Sequence, residues 1–198
     1  MRLPNSAHEA HPWRISEIAG DFALLDVWAP PVRGGPGDFD AFLEVMSSID
    51  PTGSPSPAAR ALFRLRSQLG ALFGWDDDDA RKRPIPDCEE NSLRARLPDD
   101  LRGTATAQRP GSRFLPIYRT EDEWAAEIAN DTVHAIMHLA WVEDREGAHR
   151  PELAVYVKPR GVLGGAYMAL IAPFRHWIVY PALMRQIRAA WDARGSAA

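Results

Sequence analysis

Apolar positions recur at three-four spacing early in the chain and again at its end, and give way to strand-like runs between, so the period alone predicts an order of elements. Residues 20 to 28, GDFALLDVW, are rich in strand formers and stop at Pro30-Pro31, which predicts a first strand closed by a breaker. Asp38 then caps a short helix with Phe39, Phe42, Leu43 and Met46 on one face. Ser56 with Pro57 at the first helical position begins a second helix, through about Phe73, striped by Leu62, Leu65, Leu69 and Leu72. Residues 114–119 predict a short strand, and 123–129 and 132–142 two longer ones separated by the turn-forming pair Asn130-Asp131. ELAVYVKP supplies a further strand ending at Pro159. After the RGVLGG loop, apolar residues from Tyr167 to Trp191 recur near helical spacing and predict a long helix, kinked at Pro173 or Pro181. This order is α+β, with helices packed on one face of an antiparallel sheet.

From Asp76 to Arg113 the pattern lapses into a polar insertion with few large apolar residues. Its apolar island, SLRARLPDDL, places Ser92 to cap a single turn before Pro98. A solvated surface loop is the expectation, with a lid over a pocket as the alternative.

Composition narrows the class. No break divides the 198 residues, so one domain over 1–198 is expected. A net charge of -4 with interspersed signs offers no basic stripe for a phosphate backbone and predicts no nucleic-acid partner. The single Cys88 excludes an intrachain disulfide and a four-cysteine zinc site, which fits a reducing cytoplasm. MRLPNSAHEAHPWRI lacks the apolar run of a signal peptide, so the mature chain is expected to begin near Met1. Val162 to Met184 has the length of a membrane span, but Arg175 and His176 sit in its middle between two prolines. Central charge is costly in lipid, so a buried helix is expected and a span is not.

The stretch TVHAIMHLAW sets His134 and His138 four apart. On a helix that spacing brings two zinc ligands to one face, but the metalloprotease form needs Glu where Ala135 stands. Thr132, Val133, Ile136 and Val142 favour a strand, in which four residues span roughly 13 Å and cannot share one ion. No metal and no cofactor are predicted. If a two-residue turn sets Ala129 opposite Thr132, Glu127 faces His134 and Glu123 faces His138, with Trp124, Ile128, Val133, Met137, Leu139 and Trp141 on the other face. A carboxylate beside an imidazole tunes a general acid or base. A solvated sheet face uses the same pairs, and because the apolar face already supplies a core, that is the expectation. Gly161, Gly164 and Gly165 match no phosphate-loop spacing and predict a simple turn, and no G-x-S-x-G is present. Arg175 and His176, inside an apolar helix, need partners or a pocket.

Three segments, YRTEDEWAAEIANDTVHAIMHLAWV, AVYVKPRGVLGGAYMALIAPFRHWIVYPALMRQI and HPWRISEIAGDFALLDVWA, resemble a bacterial family known as domain-of-unknown-function family 2867. The resemblance covers nearly all the chain apart from the Asp-rich insertion. That family is similar to the polyketide cyclase and START-like (SRPBCC) superfamily. This implies a helix-grip fold, a curved antiparallel sheet wrapped around a long C-terminal helix with two short helices after the first strand, enclosing a cavity for apolar ligands. Some members follow a Rossmann-type epimerase-like domain; none is expected to precede this chain, so any activity it supplies is expected to be missing, or supplied by association with an oxidoreductase or epimerase of that type.

The leading expectation is a cytoplasmic domain that binds a small apolar molecule, with Trp28, Tyr118, Trp141, Tyr156, Tyr167, Arg175 and His176 as wall or orienting residues. The alternatives are a cyclase- or isomerase-like enzyme in which Glu127 and His134 exchange a proton with the bound molecule, and a non-catalytic interaction domain forming a homodimer through the C-terminal helix.

Overall fold

The computed structural model describes residues 1–49, 92–110, 112, 114–129, 133–144, 146–160 and 172–195. The predicted second helix, Cys88, the turn pair Asn130-Asp131, the glycine loop and Tyr167 lie outside the described residues.

Among the described residues the architecture is α+β, with a curved, unclosed antiparallel sheet of six strands and a long C-terminal helix. In chain order the strands are β1 (Arg2–Leu3), β2 (Ala23–Trp28), β3 (Leu115–Arg119), β4 (Glu123–Ala129), β5 (Val133–Glu143) and β6 (His149–Pro159). Their order across the sheet is β1-β2-β6-β5-β4-β3. Helices α1 (Asn5–Glu9) and α2 (Ile15–Ile18) lie between β1 and β2. Helix α3 (Phe39–Ser48) follows β2, where Phe39 and Phe42 at three-residue spacing turn one face to the core. Asp38 stands at its start, but its carboxylate turns back to the Gly35 amide at 2.8 Å instead of capping a helical amide.

The β4–β5 pairing sets Ala129 opposite His134, Glu127 opposite Ile136 and Glu123 opposite Ala140. The predicted register is therefore off by two residues. A slip of two preserves which side chains share a face, whereas a slip of one would reverse it. The charged and apolar faces of the hairpin thus remain as expected, with each Glu meeting its His diagonally.

Both faces are buried, which overturns the expectation of a solvated charged face. One face carries Ile136, Ala140, Val142, Ala154 and Tyr156 and is covered by α2, by Trp13 and Phe22, and by the stretch from Leu93 to Leu101. This stretch falls in the supposed polar insertion. Ser92 starts a 3-10 turn over Leu93–Arg96 by accepting from the Arg94 amide at 3.2 Å, and a second turn spans Asp99–Leu101. Leu93, Leu97 and Leu101, each four from the next, all point into the core, so this part of the insertion is packed structure and not a solvated loop. The opposite face carries Trp28, Leu139, Trp141 and Leu153 and is covered by α3 and the C-terminal helix.

The C-terminal helix, α4, runs over 172–195 and changes winding part-way: Arg175–Val179 is a π stretch and Tyr180–Gly195 an α-helix. The Tyr180 amide bonds the Arg175 carbonyl, five residues back. Pro181 offers no amide to the preceding turn, and the wider winding is the local answer to that missing donor. Among the described residues no helix is long and apolar enough to cross a membrane.

Candidate functional site

Four of the six histidines pair with a buried carboxylate. Three pairs lie on the face covered by the N-terminal segment. Glu127 takes a hydrogen bond from His134 Nε2 at 2.8 Å, from Ser92 Oγ at 2.6 Å and from the Leu93 amide at 3.2 Å. That carboxylate is therefore occupied on both oxygens, and the edge of Phe22 closes over the imidazole at 4.9 Å. Glu123 accepts from His138 Nε2 at 3.0 Å, from Tyr118 Oη at 2.7 Å and from the Arg14 amide. Burial by itself would raise this carboxyl, but the bonds from His138 and Tyr118 outweigh it and hold the group below its ordinary value. Burial likewise pushes the His138 imidazole down, and it pushes the Tyr118 hydroxyl up. Glu152 accepts from His8 Nδ1 at 3.1 Å and from Arg150 at 2.7 Å, and these offset the cost of burial so that its carboxyl too is held low.

The fourth pair differs in position and access. Asp26, on β2, points to the α4 side and is fully buried, with Oδ1 2.5 Å from His176 Nε2 and Oδ2 3.0 Å from Arg175 Nε. The imidazole of His176 keeps 23% of its surface exposed. Trp28 stacks on Tyr180 at 4.6 Å between ring centroids and lies 6.5 Å from the His176 ring. Burial, then the charge of Asp26, push the Tyr180 hydroxyl up, so it stays protonated at neutral pH. Several polar atoms here are buried without a hydrogen-bond partner among the described residues: Arg175 Nε and Nη1, Trp28 Nε1 and Asp26 Oδ2. The contact of Arg175 Nε with Asp26 Oδ2 is close but not aligned as a hydrogen bond. Buried polar groups are nearly always satisfied, so such a concentration marks a place built to meet something. Arg175 and His176 are the first two residues of the π stretch, and both reach Asp26 on β2 from there.

The seven expected wall residues divide. Trp28, Arg175 and His176 come together around Asp26. Trp141 is on the same face but beside α3 and Trp191, with its indole bonded to the Gly35 carbonyl at 3.0 Å. Tyr118 and Tyr156 lie on the other face, separated from these by the sheet, and Tyr167 is outside the described residues. Asp26 itself was not anticipated. Its signal is a lone acid inside the strand FALLDVW, where a charge must be paired. His8 and Glu152 were missed for want of any local pattern, since they meet across 144 residues.

Among the described residues, open clefts lie elsewhere. One, of about 460 Å³, runs along Pro30, Pro31, Arg150, Arg188 and Trp191, and another, of about 490 Å³, along Arg94, Arg102 and Thr106. Between the sheet and α4, the described interface is packed by Phe42, Leu139, Leu153, Met184 and Ile187. Among the described residues no group of three metal-ligating side chains is placed to hold an ion.

The sequence model of a family described as "Protein of unknown function (DUF2867)" matches residues 18–182. The chain belongs to this family. The match takes in Asp26, Glu127, His134, Arg175 and His176, so the DUF2867 region holds both the strand acid and the helix residues that meet it. It begins beyond His8 and Trp13, so the N-terminal cover of the DUF2867 sheet stands outside the matched region. No curated protein and no solved structure matches the chain.

Proposed function

We propose that this DUF2867 chain binds a small, largely apolar molecule at the first turns of α4, and that the molecule carries one oxygen acceptor. The observation that supports it is the set of unpartnered donors beside a stacked aromatic pair: Arg175 Nη1 and Trp28 Nε1 next to the Trp28–Tyr180 stack. An apolar pocket with a few placed polar groups is the usual form of a small-molecule site. A carbonyl or carboxylate of the ligand would accept from Arg175, and its apolar body would lie against Trp28 and the open side of His176. The DUF2867 architecture, with its curved sheet and long C-terminal helix, accords with a START-like reading of the fold.

The test is native mass spectrometry of the full chain purified from cells, alongside a thermal-shift screen of aromatic and aliphatic carboxylic acids. A bound or stabilising compound lost in Arg175→Ala and retained in Trp177→Ala supports the site. No compound in either assay, or binding indifferent to Arg175→Ala, overturns it. Trp177 serves as the control because it is 81% exposed on the same helix.

The pairing of a buried acid with a partly open imidazole favours a second reading, in which His176 exchanges a proton with the bound molecule while Asp26 fixes its tautomer. The Glu127–His134 pair suits that role less well, since both oxygens of Glu127 and one face of His134 are engaged by Ser92, Leu93 and Phe22. Turnover of a bound compound that Asp26→Asn abolishes would support the reading; turnover that needs Glu127 and not Asp26 would transfer the role to the other pair.

A further inference from the structure

We propose that His8, Trp13 and His138 enclose a second binding site, on the face of the sheet opposite α4, for one water-sized molecule that donates two hydrogen bonds and accepts one. The three rings lie against one another, with centroids 5.2 Å apart for His8 and His138, 5.7 Å for His8 and Trp13, and 5.8 Å for Trp13 and His138. Each ring carries one buried nitrogen without a hydrogen-bond partner: His8 Nε2, His138 Nδ1 and Trp13 Nε1. Three buried orphans on neighbouring rings would all be satisfied by one shared guest.

The chemistry of the guest follows from its hosts. An ionised carboxylate only accepts, so Glu152 draws the proton of His8 to Nδ1 and Glu123 draws that of His138 to Nε2. His8 Nε2 and His138 Nδ1 are then lone pairs, and the indole N–H of Trp13 is a donor. A guest that satisfies all three gives two protons and receives one, which is what water does. An ammonium ion has no lone pair for Trp13, and an alcohol has one proton for two imidazoles. Carboxylate-backed imidazoles are also the usual supports of a bound metal, but here two stand without a third ligand among the described residues.

Such a guest would join two separate pairs into one hydrogen-bonded chain. It runs from Arg150 through Glu152, His8, the guest, His138 and Glu123 to Tyr118, and so ties α1 to four neighbouring strands. This site and the one proposed at Asp26 stand or fall separately, since the sheet lies between them.

Two measurements on the full chain decide it. A crystal structure at atomic resolution is expected to show one oxygen peak within about 2.7–3.2 Å of all three nitrogens. Nitrogen-15 NMR of the imidazoles at neutral pH is expected to show His8 as the Nδ1–H tautomer and His138 as the Nε2–H tautomer. No peak, a peak with the anomalous scattering of a transition metal, or the opposite tautomer at either ring would overturn the proposal.

Discussion

Glu127 shows what a single buried side chain does in this protein. It holds β5 through His134 and the 3-10 turn through Ser92 and the Leu93 amide, all from one position on β4. Truncating one partner of such a set strands the others, and the cost of breaking a buried pair is about 3–5 kcal/mol. Glu127→Ala is therefore expected to lower stability by about 3 kcal/mol in urea unfolding, whereas Trp177→Ala, on an exposed side chain, should change it by less than about 0.5 kcal/mol. At Asp26 the expected effect is on ligand more than on fold. Asp26→Asn keeps the shape of the side chain but not the charge that pairs Arg175 and His176, so a ligand held there should be lost by titration calorimetry while the far-ultraviolet spectrum is kept. At this scale half of the site was legible in the sequence. Arg175 and His176 stand out as polar residues in an apolar run, and His134 and Glu127 as neighbours across a turn. The acid that organises the first two was not, because a charged residue in a strand reads as a surface position until its partner, some 150 residues away, is brought to it.

Among the elements, α4 carries the most specific information. Its helical period is plain, and Pro181 forewarns of a break; what the period does not predict is that the break takes the form of a π stretch that aims consecutive residues at β2. Pro181→Ala restores the missing amide and is expected to let this stretch rewind as an α-helix. Helicity measured by circular dichroism should hold or rise, while ligand affinity at Arg175 and His176 falls because their directions change. The strands were readable because apolar and polar positions differ between their two faces, and the hairpin register was not, because a slip of two residues leaves every face unchanged. The turns over Leu93–Leu101 were hidden by composition: three leucines among arginines and aspartates look like surface until their spacing is set against a core.

For the whole molecule, burying His138 with Glu123, and Glu152 with its partners, makes stability depend on pH in a definite direction. His138 is held below its ordinary value of 6.5 by burial, so the unfolded chain takes up a proton that the folded chain refuses. The contribution of His138 to stability is thus lost as pH falls below about 6.5. Glu123 and Glu152, held below their ordinary 4.5, add stability above that value that is lost as pH falls through their lower, folded values. All three act in one sense. Thermal melts should show a midpoint that is steady near neutrality, begins to decline below about pH 6.5, and drops more steeply below about 4.5. His138→Phe should remove the upper part of that decline and weaken the lower part, because Glu123 loses the His138 bond that holds it low while Glu152 keeps its own partners.

The ends of the sheet decide how copies of this chain can meet. A strand at a sheet border offers unpaired backbone groups on which another chain can add itself. Here one border is β1, only two residues long, and the other is β3, which carries Pro116 without an amide and a bulge between Pro116 and Tyr118. Neither offers a long flat ribbon for continuation. Among the described residues, strand addition is thus discouraged along β1 and β3, which leaves side-chain surfaces as the better ground for self-association.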